Sequence, residues 1–288
     1  MSEAATIEAR TNRAADLRTA VSGSDGFAVF PALAAGELAS VQAAIEAQWF
    51  ARIRSSAPEH AGAFRARGIA RYHELSHLVD HASLWPKRER ILPHDAVGLI
   101  RATRLCRVLE EAFGRFTISD EEDLGHEEIY WRLVRPAAER PVGRPAAERL
   151  MERPTAERPM ERPANDTGPV HADRWFWELG HGRTPPGVER VKVWVAVITE
   201  PGLSGLQLLP GSHRRTWRYH GEMRDGFVKP KIDEDVESLG LQLVPTSPGD
   251  AVVFNDGLLH GGGESRGART RVSFEFTMFV QSPERGAP

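Results

Sequence analysis

The chain has 288 residues, 41% of them hydrophobic and 27% charged, with a formal net charge of −3. That balance fits a soluble globular protein with a sizeable core, and it gives no domain-wide basic excess to displace counterions from nucleic acid. The single cysteine, Cys106, excludes an intrachain disulfide and fits a reducing compartment.

Residues 1–20, MSEAATIEARTNRAADLRTA, lack the apolar core of a secretion signal and read as a polar tail. No apolar run approaches the roughly 20 residues that span a bilayer, so a cytoplasmic protein without a membrane partner is expected. Phe27 to Phe30 reads as a short strand. After a turn, Leu38, Val41, Ile45, Trp49 and Ile53 recur at helical spacing. His73, His77 and His81 follow at i, i+4 and i+8, a stripe that one helix would align. No acidic or thiol ligand closes that set, so a metal site there is not favoured. A second helix is expected from about Asp95 to Phe113, with Cys106 inside it as an inert buried thiol.

Past about residue 126 the runs EEIYWRLVRP, VERVKVWVAVITE, GLQLLPGSH, LGLQLVPTS, GDAVVFND and TRVSFEFTMFV are short, β-branched or aromatic, and separated by Gly, Pro, Asn and Asp. Successive strands without intervening helices indicate a sandwich or barrel. The expectation is a mainly β chain with flanking α-helices, residues 1–288 forming one domain. One stretch departs from this pattern. From Arg135 a nine-residue unit restarts at Arg144, Arg153 and Arg162. Its prolines recur too densely for a helix, and its apolar residues are too few for a strand. Residues 135–163 are therefore expected to loop out as an expanded tandem repeat, which closure entropy tolerates.

The stretch GPVHADRWFWELGHG carries His171 and Asp173 two apart. On an extended strand both side chains point to one face, giving two ligands of a 2-His-1-carboxylate set that holds non-haem Fe(II) with open positions. The third candidate is His260, which follows a strand and enters a glycine turn. Arg271, eleven residues further on, opens the last strand, and its guanidinium suits a dicarboxylate. Arg269 shares its face and competes for that role.

H-x-D, then KVWVAV, then GLQLLPGSH, then a distal histidine with an arginine eleven residues on, resembles the phytanoyl-CoA dioxygenase family. The likeness runs in outline from Phe27 to Phe279 and is specific from Gly168 onward. It implies a double-stranded β-helix (jelly-roll) core behind an α-rich N-terminal part. It also implies an Fe(II)- and 2-oxoglutarate-dependent dioxygenase consuming O2 and releasing succinate and CO2. By position, His171, Asp173 and His260 match the iron ligands, and Arg271 the residue binding the distal carboxylate of 2-oxoglutarate. Trp194 matches a tryptophan lining the cosubstrate pocket, and Arg71 resembles an upstream basic residue contacting 2-oxoglutarate in some members. Some members carry a hydroxyl residue two after the distal histidine, where this chain has Gly262. The carboxylate Asp173 argues against the halogenating branch, which puts a small residue there.

A small-molecule substrate is expected, with hydroxylation the leading outcome and desaturation, epimerisation or cyclisation open to the same iron site. Arg174 and Trp175, beside Asp173, together with Arg132 and His213, are the candidate substrate contacts. Trp175 reads equally as core, and His213, like His181 and His220, as an ordinary polar residue. A non-catalytic jelly-roll binding protein predicts that the three ligands fail to converge. A cupin-like enzyme without 2-oxoglutarate predicts extra histidines and a dispensable Arg271.

Overall fold

The computed structural model describes residues 14–137, 166–224 and 226–282. The 1–20 tail is described only from residue 14, where Ala14–Ser22 forms helix α1 and buries Leu17 and Val21 in the core. Most of the proposed repeat, residues 138–165, lies outside the described residues.

Helix α2, Ala35–Ser56, buries Val41, Ile45, Trp49 and Ile53, the stripe its sequence spacing predicts. The Glu37 carboxylate accepts from the Ala34 N–H at 2.9 Å and fixes the helix start. Residues 61–84 carry three short helices, α3 Ala61–Arg67, α4 Tyr72–Leu75 and α5 His81–Leu84, separated by 3-10 turns. His73, His77 and His81 therefore share no single helix. The helix expected over 95–113 is two, α6 His94–Arg101 and α7 Arg104–Phe113. The break falls at Thr103, which is extended, with its hydroxyl donating to the Ile100 carbonyl at 2.6 Å. The N–H of Arg104, freed by the break, finds Glu37 Oε1 at 2.8 Å, so a tertiary partner overrides the helical periodicity.

Among the described residues, eleven strands follow the jelly-roll plan. They are β1 Phe27–Pro31, β2 Phe116–Ile118, β3 Tyr130–Val134, β4 Val188–Ile198, β5 Leu206–Leu208, β6 Tyr219–Arg224, β7 Phe227–Ile232, β8 Gln242–Leu243, β9 Asp250–Asn255, β10 His260–Gly262 and β11 Arg271–Gln281. The larger sheet runs β1-β9-β4-β11-β2, with β3 also paired to the first half of β11. The smaller sheet is β10-β5-β8, and β6 and β7 form a separate hairpin.

Strand periodicity sorts the larger sheet into two faces. Val191, Val193, Val195 and Val197 of β4, with Val272, Phe274, Phe276 and Met278 of β11, pack against the helices. The alternate residues Trp194, Ala196, Val252 and Phe254 face Leu206, Leu208 and Val244 of the smaller sheet. On β11 the inward residues are Arg271, Ser273, Glu275 and Thr277, polar and all buried. A polar face sealed from solvent needs partners, and it marks where the fold places its chemistry.

Candidate functional site

His171 and His260 are brought together by the backbone. The His171 N–H donates to the His260 carbonyl at 3.0 Å and the His260 N–H returns to the His171 carbonyl at 2.9 Å. This bridge adds the chain at His171 to the edge of the smaller sheet and sets the imidazole centroids 4.6 Å apart. In each ring Nδ1 lies against a carbonyl two residues back, Pro169 at 2.7 Å and Leu258 at 2.9 Å. A carbonyl only accepts, so Nδ1 carries the proton in both rings and Nε2 presents its lone pair.

The chain does not remain extended to 176. Ala172 is the extended N-cap of helix α8, Asp173–Glu178, and Asp173 is its first residue. The carboxylate still reaches the histidines. Its Oδ1 is 3.7 Å from His171 Nε2 and its Oδ2 3.4 Å from His260 Nε2. Oδ2 is buried without a hydrogen-bond partner. The three ligand atoms lie within 4.8 Å of one another. Ligands about 2.1 Å from one ion sit roughly 3–4 Å apart, so small shifts would close the set on a metal. A carboxylate with one unpartnered oxygen, facing the Nε2 lone pairs of two imidazoles, is a donor set that suits Fe(II).

The electrostatics keep His260 and Asp173 in their ligating forms. Burial pushes His260 down to about 4, so the ring is neutral at pH 7. Burial acts to raise the Asp173 pKa, but Lys192, then the two histidines, outweigh it and hold the carboxyl far below the usual range. Lys192 points inward from β4 with Nζ 3.7 Å from Asp173 Oδ1.

Arg271, the first residue of β11, is 2% exposed. Its Nη1 donates to the Gly205 carbonyl, and its Cζ lies 6.0 Å from the Trp194 ring centroid. Its Nε and the hydroxyl of Ser273, two residues on, are both buried without partners. A charged donor and a neutral donor left unsatisfied on one inner face are costly unless a ligand's acceptors meet them. They fit a carboxylate. Arg269, by contrast, is exposed.

Between these two centres runs a charged ladder. Register places Ser273 opposite Ala196, Glu275 opposite Trp194 and Thr277 opposite Lys192. Arg132, facing Ser273 from β3, bonds through Nε to Glu275 Oε1 at 2.7 Å. Burial acts to raise Glu275, yet Arg132 and Lys192 bring it down to about 2.

Other predicted residues have different partners. Arg71 is surface-exposed and bonded to Glu74 at 2.8 Å; no hydrogen bond or ion pair joins it to Arg271 among the described residues. Arg174 turns away from the metal ligands to Asp256, 2.9 Å, which also takes Arg190 at 2.7 Å. This clamp ties the start of α8 to the turn leading into His260. Trp175 is buried on the far side of His171, stacked on Tyr219 with centroids 4.5 Å apart. His213 bonds through Nε2 to the Gly23 carbonyl at 3.0 Å, anchoring the PGSH turn to the residues before β1. Lys192, Ser273, Glu275 and Asp256 were not singled out in the sequence. The signal for three of them was the inward parity of β4 and β11, set by Trp194 and Arg271.

The sequence matches the profile of the phytanoyl-CoA dioxygenase (PhyH) family over residues 23–273. The chain belongs to that family. It is thus an Fe(II)- and 2-oxoglutarate-dependent oxygenase, and the His171–Asp173–His260 group fits its iron site. A direct search among curated proteins finds no match. Among solved structures, EctD from S. alaskensis with bound Fe is similar at 15% identity, TM-score 0.51, covering 94% of this chain and 78% of that one. The non-heme monooxygenase ThoJ in its apo form is similar at 14% identity, TM-score 0.50, covering 94% and 80%. At such identities these likenesses speak to the jelly-roll fold alone. No helix among the described residues is long and apolar enough to cross a membrane.

Proposed function

We propose that this family member hydroxylates a small polar or anionic metabolite, holding Fe(II) with His171, Asp173 and His260 and the distal carboxylate of 2-oxoglutarate with Arg271. The observation that carries the assignment is the set of buried, unpartnered polar atoms, Asp173 Oδ2 at the two imidazoles, and Arg271 Nε and Ser273 Oγ on the inner face of β11. Both centres lie inside one barrel, and each matches a different part of the same chemistry. Bound iron supplies the reaction of O2 with 2-oxoglutarate that yields succinate, CO2 and the oxidant for a substrate C–H bond.

The chain's own residues do the positioning. Hydrogen bonds to the Pro169 and Leu258 carbonyls fix both rings in the ligating tautomer. The Arg174–Asp256–Arg190 clamp fixes the helix that carries Asp173. Trp194, Phe254 and Leu208 make the neighbouring wall apolar and keep water from the cosubstrate. Lys192, Glu275, Arg132 and Thr277 give the rest of the inner face a polar character, which favours a polar substrate.

The test is anaerobic addition of Fe(II) and 2-oxoglutarate to metal-free protein. The expected result is a visible metal-to-ligand charge-transfer band that Asp173→Ala abolishes. No band in the wild type, or an unchanged band in the variant, refutes the assignment.

A further inference from the structure

The Arg271 end of the barrel is closed by a buried polar clasp. Arg135 and Asp166 stand at the two ends of the 138–165 segment. Arg135 bonds to Asp166 through Nε at 2.8 Å, Nη2 at 2.7 Å and its backbone N–H at 2.8 Å. The Asp166 side chain is only 5% exposed. His81 adds Nε2 at 3.3 Å from Asp166 Oδ1, and its Nδ1 shares a hydrogen bond of 2.9 Å with the Tyr72 hydroxyl. Trp85 Nε1 donates to that same hydroxyl at 3.2 Å.

The residue after Asp166 is Thr167. A Cβ placed on Gly262 would stand 3.3 Å from Thr167 Cβ and Cγ2, and 3.2 Å from Arg271 Nη2. Glycine two residues past His260 leaves a gap, and Thr167 and the Arg271 guanidinium fill it from two sides. The helical segment that supplies His81 also grips the residue before Arg271. The Thr270 N–H donates to the Ala70 carbonyl at 2.9 Å, and Thr270 Oγ1 meets the His73 N–H at 3.2 Å and His73 Nδ1 at 2.9 Å. Two of the three histidines in the sequence stripe are thereby struts to the Arg271 end.

We propose that Thr167 forms a wall of the 2-oxoglutarate cradle beside Arg271, and that the His81–Asp166–Arg135 clasp is the positioning device that holds it there. This rests on the reading of Arg271 as the carboxylate clamp. A guanidinium fork must be fixed within about 0.5 Å and 10–20° to engage a carboxylate through two bonds. Among the described residues Arg271 has one carbonyl partner, Gly205, and an unpartnered Nε, so hydrogen bonds alone leave its aim under-determined. Thr167, which shares the space over Gly262 with Nη2, and the Trp194 ring, its centroid 6.0 Å from Cζ, supply the missing constraint. The clasp has a second effect. Arg135 neutralises Asp166, whose charge reaches Arg271, and so removes a competitor for the guanidinium.

The test uses the full chain loaded with Mn(II), with the Kd for 2-oxoglutarate read from tryptophan fluorescence and the Kd for Mn(II) read from electron paramagnetic resonance. Thr167→Ala and Arg135→Met are expected to raise the 2-oxoglutarate Kd about tenfold, the scale of one lost contact to a charged group. Mn(II) affinity is expected to stay within about twofold. Thr167→Ser is expected to retain most of the wild-type affinity, and Gly262→Ala to weaken it by crowding Thr167 and Arg271. If Arg135→Met does not fold, Thr167→Ala and Gly262→Ala decide. Folded variants whose 2-oxoglutarate Kd matches the wild type overturn the proposal. So does a parallel loss of Mn(II) affinity, which would mark a purely structural role. Wild-type protein that binds Mn(II) but not 2-oxoglutarate removes the parent reading, a result distinct from either.

Discussion

Replacing Arg271 by methionine is expected to leave the ligand-free protein as stable as the wild type or more so, while greatly weakening 2-oxoglutarate binding. Burial pushes the guanidinium from its ordinary value down to about 10. That depression disfavours the charged form by about 3 kcal/mol at 1.36 kcal/mol per unit. At pH 7 the residue is charged in both the folded and the unfolded chain, so the folded state carries the whole cost. Methionine removes it and keeps much of the volume. Against this stands the hydrogen bond to the Gly205 carbonyl, whose loss leaves an unpaired acceptor at about 1–3 kcal/mol. The net is neutral to about 2 kcal/mol of added stability, in line with the behaviour of other buried charges exchanged for apolar groups. With the ligand the sign reverses. Two charged hydrogen bonds to a carboxylate contribute about 1.5–3 kcal/mol each, so their loss raises the Kd at least about 100-fold. Urea unfolding of the ligand-free protein measures the first effect, and fluorescence titration of the Mn(II)-loaded protein the second. A variant destabilised by several kcal/mol without ligand, or binding 2-oxoglutarate within tenfold of wild type, would falsify the argument.

The metal-free protein is expected to lose stability as the pH falls below neutral. Burial lowers both His260, to about 4, and His81, so the unfolded chain takes up protons first. The stability held by the neutral rings is intact above about 6.5 and drains away as the pH drops through the folded-state values, up to about 3 kcal/mol for His260. A urea midpoint unchanged between pH 7 and 5 contradicts this. Gly26→Ala is expected to destabilise the fold by about 1–3 kcal/mol. A Cβ there would collide with His213 Nδ1, on a backbone with φ +83° that disfavours any side chain. Chemical denaturation measures the loss, and wild-type stability in the variant would show that the PGSH turn is not pinned as described.

Much of the fold was legible in the sequence because one rule, alternation, governs both β4 and β11. Trp194 and Arg271 fix the inward parity, and Val193 and Phe274 then fall on the helix-covered face. The strand β6 and its partner β7 were not anticipated: His220, Glu222, Arg224, Lys229 and Lys231 share one face of the hairpin, and the opposite face, which includes Gly221 and Pro230, is too weakly apolar to stand out as a strand pattern. The metal ligands were legible as H-x-D plus a distal histidine, but the extended geometry assumed for H-x-D was not what joins them. A helix start at Asp173 and a backbone bridge at His171 achieve the same convergence. Arg174 reads as a substrate contact because it follows Asp173, and His213 because the PGSH turn lies near the pocket in the family it resembles. Their partners, Asp256 and Gly23, are 82 and 190 residues away, and no local pattern announces such distances. The same limit hid Thr167 and its place against Gly262.

The bridge between His171 and His260 has a consequence for how the protein responds to its metal. The two rings meet only while a pair of amide-to-carbonyl bonds at the rim of the smaller sheet stays closed. Ion occupancy and the closed rim are therefore one thermodynamic event. Hydrogen exchange at these two amides should slow as metal is added, reporting on the ion from the main chain without any probe of the side chains that hold it.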